Sequence, residues 1–209
     1  MRSSKSPRSY RKSKRAEDEE RTRARIVDAA ESLHGTVGPA RTTVSAIAEH
    51  AGVTRATVYR HFPDDEALFL ACSAQWLSRQ RLPDADAWRR HDQALPRLRA
   101  ALVDLYRYYR EAEPMLTLVR RDVEVVPASV RSARMDTERL WVNTLLEPFA
   151  GRRRRTLQVA VAHAVSFDTW RSLCVTHGLS NRSAVDLMLG MVMTSHDGPE
   201  PVLAARRPR

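Results

Sequence analysis

Two cysteines in 209 residues, Cys72 and Cys174, are too few for a disulfide framework, and so sparse a use suits reduced thiols. No apolar run approaches the ~20 residues needed to span a bilayer. The basic N-terminus is not followed by the apolar segment of a signal peptide. These absences point to a cytoplasmic protein without a membrane partner. The seven glycines form no glycine-rich phosphate loop, and no nucleophile motif is present. His34, His50, His91 and His163 are scattered, and His177 precedes a glycine turn. None forms an i, i+4 pair with a third ligand. The chain therefore offers no catalytic residue, no metal site and no cofactor site. Alternating strand patterns and internal repeats are missing as well.

What is present is positive charge and helical rhythm. The formal net charge is +10 with a pI near 10.5. Residues 1–62 hold 13 Lys/Arg against 7 Asp/Glu, so the first third carries more than half of the excess. Such a balance favours a polyanionic partner, nucleic acid before an anionic membrane surface. The apolar share of 43% and charged share of 29% describe a globular chain with a substantial core.

Residues 1–15, MRSSKSPRSYRKSKR, contain seven Lys/Arg and cannot bury themselves. They read as a disordered basic arm, able to order against phosphates. Helical spacing starts at Ala16, with Ile26, Val27, Ala29, Ala30 and Leu33 on one side, and ends at Gly35 and Gly38-Pro39. Pro63-Asp64-Asp65-Glu66 starts a later helix that Pro83 stops. Further helices are expected over Leu95 to Tyr109, over a shorter segment opened by Pro114, over Val130 to Phe149, over Thr156 to Thr176 and over Ser180 to Thr194. The fold class is all-α.

The informative stretch is TTVSAIAEHAGVTRATVYRHF, Thr42 to Phe62. Thr43 can cap a helix from Val44 to Ala51, and Thr54 can cap one from Arg55 to His61. Ala48 is small enough for a close crossing, Gly52 suits a turn of positive φ, and Val53 plugs it. Val58 and Phe62 anchor the second helix from beneath. Together these describe a helix-turn-helix. Its second helix leaves Arg55, Ala56, Thr57, Tyr59 and His61 for the DNA major groove, and Thr43 and Ser45 complete the expected contact set. Arg55 has the donor fork for guanine, Thr57 can reach a base or phosphate, and Tyr59 and His61 suit phosphates.

Across residues 26 to 69 the order of these signals resembles the tetracycline-repressor-like (TetR) family of bacterial transcription regulators. The residues that carry it are Thr42-Thr43, Ile47-Ala48, Ala51-Gly52-Val53, Thr57 to Phe62, and Glu66-Ala67-Leu68-Phe69. The resemblance implies an all-α homodimer on a near-palindromic operator. A three-helix DNA-binding domain (16–62) would precede a ligand-binding and dimerisation domain (63–196) and a flexible tail (197–209). An unknown small-molecule effector would release the operator through the fourth helix. One departure stands out: the family often has a phosphate-contacting lysine near the start of that helix, where this chain has Asp65, with Asp64 beside it.

Trp76, Tyr106, Tyr109 and Trp141 are the candidates for an effector pocket, since helix-bundle cavities take such linings. At helical spacing the same residues also suit a plain core. Thr156 to Thr176 and Ser180 to Thr194 read as the dimer pair, with Ala164, Phe167, Met188 and Met191 at the interface; burial within a monomer is the alternative. Gly151 to Arg155, GRRRR, reads as a solvated basic loop. Two other functions stay open. One is a DNA-binding regulator without a small-molecule effector. The other is an all-α binding or enzymatic protein whose helix pair is fortuitous.

Overall fold

The structure, a computed structural model, describes residues 7–149 and 155–197. Every regular element among them is helical: α1 (Pro7–Thr36), α2 (Val44–His50), α3 (Arg55–His61), α4 (Asp65–Ser78), α5 (Ala85–Arg89), α6 (Ala94–Arg121), α7 (Ala128–Leu146), α8 (Arg155–Ala164), α9 (Phe167–Trp170) and α10 (Asn181–Asp197). None is long and apolar enough to cross a membrane. The chain divides into two compact units, Met1–Gln80 with Ala112–Arg131, and Arg81–Glu111 with Ser132–Arg209. The boundary expected at Pro63 thus falls inside the first unit, because α4 packs on α1 and shares its core. Helix α6 runs from the second unit into the first.

The first unit is built on α1. Ile26, Val27, Ala29 and Ala30 are buried together with Ile47, Ala48, Val58, Phe62, Leu68 and Cys72. A polar seam ties α4 to α1: Gln75 Nε2 donates to both Asp28 and Glu31 at 2.8 Å, and Arg79 Nη1 pairs with Glu31 at 3.0 Å. Helix α1 begins nine residues before the expected Ala16, so residues 7–15 of the presumed arm are helical, while residues 1–6 lie outside the described residues. Two local effects support that extension. Pro7 loses nothing at a first helical position, and Ser13 to Glu17 (2.9 Å) and Arg15 to Glu19 (3.2 Å) are i, i+4 bonds onto the acidic run.

The second unit departs from expectation twice. Pro114 does not open a new segment; α6 runs through it for 28 residues. The proline lies on an exposed stretch, where solvent can take the carbonyl left without its helical donor. The continuous helix expected over Thr156 to Thr176 is instead interrupted at Val165-Ser166. Ser166 caps α9 by accepting from the Asp168 N–H at 3.2 Å, and a π-helical segment, Arg171–Thr176, follows. The break persists because two buried hydroxyls occupy it: Tyr106 Oη donates to the Ala164 carbonyl (2.9 Å) and Tyr109 Oη to the Val165 carbonyl (2.6 Å). Ser180 caps α10 through the Ser183 N–H at 3.1 Å. Helix α5 has no counterpart in the sequence reading. Its Trp88 is buried, and the indole donates to Asp104 at 3.0 Å. Residues 151–154 of the basic cluster and the tail from 198 lie outside the described residues.

His34 sits in the first unit's core, with Nδ1 3.4 Å from Cys72 Sγ and its ring against Phe69. Burial pushes the Cys72 thiol up to about 12 and holds the His34 ring near 4. The folded protein therefore keeps this imidazole neutral, whereas the unfolded chain protonates it below about 6.5. Stability is lost as pH falls from 6.5 towards 4. Urea unfolding at pH 7 and pH 4.5 should show wild type losing on the order of 1–3 kcal/mol more than His34→Leu over that interval. Equal losses would show that His34 does not govern this range.

Candidate nucleic-acid interface

Two seven-residue helices are each started by a threonine. Thr43 accepts from the Ala46 N–H at 3.2 Å to cap α2, and Thr54 accepts from the Thr57 N–H at 3.1 Å to cap α3. Between them the chain turns on Gly52, whose φ of 64° lies in the left-handed region. The Val53 N–H donates to the Ala48 carbonyl (2.9 Å) and the Gly52 N–H to the Glu49 carbonyl (3.0 Å), the bond pair of a Schellman helix end. Arg25 of α1 reaches the Gly52 carbonyl at 3.3 Å, and the Arg23 guanidinium lies 4.9 Å from the centre of the Phe62 ring. The turn and the end of α3 are thus both held from α1.

Val58 is 1% exposed and Phe62 3%, so α3 is fastened along one side. The other side carries Arg55, Ala56, Tyr59 and Arg60, all exposed; Tyr59 is 44% exposed. Thr43 and Ser45 are exposed on α2. Two members of the expected set differ. Thr57 is half-buried and shares its hydroxyl with Thr54 at 2.9 Å, which occupies part of its hydrogen-bonding capacity. His61 is half-buried with Nε2 enclosed and without a protein partner, so this nitrogen does not reach outward to a phosphate. The sequence reading left out Arg60; its place one residue after Tyr59 on the same short helix was the available signal.

Residues 26–72 match the family model described as bacterial regulatory proteins, tetR family. Over 55 residues the chain is 47% identical to TtgR, an HTH-type transcriptional regulator of Pseudomonas putida, a stretch covering 26% of each chain. ArpR of Pseudomonas putida, a probable HTH-type transcriptional regulator, matches to the same extent. The match spans about a quarter of the length of these curated relatives. A TetR-like transcriptional regulator from Rhodococcus sp. RHA1 superposes with a TM-score of 0.60 at 20% identity, over 85% of this chain and 97% of that one. NalD, described as the secondary repressor of the MexAB-OprM multidrug efflux pump in Pseudomonas aeruginosa, gives 0.56 at 20% identity, over 86% and 97%. At such identity the likeness of the solved structures is one of fold.

Over residues 26–72 the chain is thus similar to the tetR family of bacterial regulatory proteins.

The tetR-family segment reaches Cys72, halfway along α4. At the start of that helix the Asp64 carboxylate serves as the cap, accepting from the Ala67 N–H at 2.7 Å. Asp65, the residue at the lysine's place, is exposed one residue past this cap. Of the residues expected to line an effector pocket, Tyr106 and Tyr109 are buried, with their hydroxyls engaged by the Ala164 and Val165 carbonyls. Tyr109 also packs edge-on to Phe167 at 5.5 Å. Both are core. Trp76 lies on α4 of the first unit and Trp141 on α7 of the second; each is half-buried. The second unit does have an open groove of about 280 Å³ between α7 and α8, lined by Met135, Val142, Ala162 and Val165 with Glu138 and Arg139 at its polar edge. None of the four aromatics lines it.

The expected interface set also needs correction. Ala164, Phe167 and Met188 are at most 3% exposed in the single chain, where they fill the core around α8 and α10. Only Met191, at 50%, faces outward. Among the described residues, no group of three His, Cys, Asp or Glu is placed to hold a metal ion.

A Cβ at Gly52 would meet nothing within 4 Å, so substitution there costs backbone strain alone. Gly52→Ala should lower stability by about 1–2 kcal/mol in thermal unfolding, and Gly52→Asn by less, because asparagine tolerates the left-handed region. An alanine variant as stable as wild type would show that the turn does not need positive φ.

Proposed function

We propose that this protein is a DNA-binding transcriptional regulator, acting as a homodimer on a near-palindromic operator and released from it by a small-molecule effector. The observation that carries the DNA-binding part is the division of α3. Val58 and Phe62 hold one side down, and Arg55, Tyr59 and Arg60 stand exposed on the other. A helix so mounted fits the major groove, where base edges are distinguishable. Arg55, one residue past the cap Thr54, reads guanine through its donor fork. Tyr59, one turn on, holds a phosphate. Repression as the sense of regulation, and an effector as its trigger, are what the likeness to the tetR family over residues 26–72 suggests for this chain. The groove between α7 and α8, with its apolar floor and charged edge, is a better candidate for an amphipathic effector than the core tyrosines, whose hydroxyls are engaged.

For the dimer, the exposed side of α10 supports a revised interface. Ser183, Leu187, Gly190, Met191 and Thr194 are exposed and fall within about a third of the helix circumference. Leu187 and Met191 are 45% and 50% exposed, a pair of large apolar side chains among small ones. A symmetric contact buries them and lets two copies approach closely.

Arg55→Ala should weaken binding to the operator by about 1–3 kcal/mol and relax preference at one base pair. Tyr59→Phe should weaken operator and random duplex about equally, by ~1 kcal/mol. Titrations against single-base-substituted operators at fixed salt distinguish the two. Loss of base preference in Tyr59→Phe alone would reverse the roles. Sedimentation analysis of Leu187→Arg and Met191→Arg should show monomers that keep their helicity; persistent dimers would place the interface elsewhere.

A further inference from the structure

The loop that leads into α2 is gripped by a part of the chain some 80 residues away. Gly38, at φ 92°, stands where any Cβ would collide with the Arg121 guanidinium and the Asp122 carboxylate. Arg121 Nη2 donates to the Val37 carbonyl at 2.8 Å, and Asp122 Oδ2 accepts from the Ala40 N–H at 3.0 Å. The two side chains also pair with each other, Nε to Oδ1 at 2.7 Å and Nη2 to Oδ2 at 2.8 Å. The last residue of α6 and the residue after it therefore hold the backbone on both sides of Gly38. Both contacts are charge-assisted, and Asp122 is 9% exposed. The Arg121 guanidinium holds the Asp122 carboxyl near 2, so it remains an ionised acceptor at any ordinary pH.

The gripped loop sits directly before the interface helices. The Arg41 N–H and the Thr42 hydroxyl both donate to the Gly38 carbonyl (3.2 and 2.9 Å), and Thr43, the next residue, caps α2. A shift at Gly38 is thereby passed through one turn of 3₁₀ helix, Pro39–Arg41, to the start of α2. The contacts go to backbone atoms of Val37 and Ala40, so what this clamp requires of the loop's own side chains is the glycine.

We infer that Arg121 and Asp122 are positioning residues for DNA recognition: by clamping the 37–40 backbone they set the entry of α2, and so the angle at which α2 and α3 meet DNA. The inference rests on the proposed DNA-binding function. Neither residue lies on α2 or α3, and neither needs to touch the duplex. The effect is therefore on selective binding, which requires one docking geometry, more than on the phosphate attraction that any orientation retains.

The test uses full-length protein and two DNA probes: a duplex selected by the wild-type protein from a random-sequence library, and an unselected duplex of equal length. Asp122→Ala should speed amide exchange over residues 37–43 and leave α4 as slow as in wild type. It should lower affinity for the selected duplex about tenfold, with little change for the unselected one. Asp122→Asn keeps a carbonyl acceptor and should recover part of both effects. Arg121→Ala, which spares the Asp122 to Ala40 bond, provides a second route should Asp122→Ala fold poorly. Faster loop exchange with an unchanged ratio of selected to unselected affinity would overturn the proposal, leaving the clamp purely structural; unchanged loop exchange would overturn it too. If wild type selects no sequence at all, the regulator reading falls and this one with it. That outcome is distinct from wild type selecting a sequence that the variants bind equally well.

Discussion

Everything on the outer side of α3 depends on what is buried on its inner side. A helix of seven residues makes too few hydrogen bonds to stand alone in water. Helices α2 and α3 persist because Ile47, Ala48, Val58 and Phe62 are buried against α1 and α4, and because Thr43 and Thr54 satisfy the first exposed N–H groups. The burial leaves the remaining positions without a packing duty. Arg55, Tyr59 and Arg60 can then be selected for a partner, and their long polar side chains cost the fold little. Arg25 on the Gly52 carbonyl and Arg23 on the Phe62 ring extend the support to the turn and to the end of α3. The outward surface of α3 is thus a by-product of a small, well-anchored core.

The second unit follows a related logic with the hydrogen bond in place of apolar burial. A helix that stops at Ala164 leaves carbonyls without donors, and a buried carbonyl left so is costly. Tyr106 and Tyr109 supply the donors from α6, and Phe167 and Trp170 pack around Tyr109. Aromatic side chains are good pocket material because they combine a large apolar body with one polar tip. The same combination lets these two tyrosines close an internal break, and once their hydroxyls are so engaged they are part of the frame. Arg97 does similar work elsewhere in this unit: it is buried, and donates to the His91 and Thr144 carbonyls and to Glu147.

The parts of the molecule legible in the sequence are those whose causes are local. Thr54 three residues before Thr57, Gly52 after Ala48, and Val58 and Phe62 one turn apart each act within a few residues of themselves, so the helix-turn-helix could be traced from Thr42 to Phe62. The all-α class followed from apolar spacing along the whole chain. Other features gave misleading local signals. Pro114 looks like a helix start, yet its exposed position lets α6 continue through it. Val165-Ser166 lies within an unbroken apolar rhythm that conceals the interruption, although Ser166 followed by Asp168 is a cap signal in retrospect.

By itself, then, the sequence determined the helical class and the two capped helices with their glycine turn, because capping, turn geometry and helical periodicity act over one or two turns of chain. Only the tertiary structure decided that Ala164, Phe167 and Met188 point inward while Leu187 and Met191 point out, that Tyr106 and Tyr109 serve the frame, and that Arg121 and Asp122 reach back to Gly38. A helix with apolar residues on more than one side carries no local mark of which side meets its own core. That choice is made by the neighbour that packs against it, and the neighbour comes from a distant part of the chain.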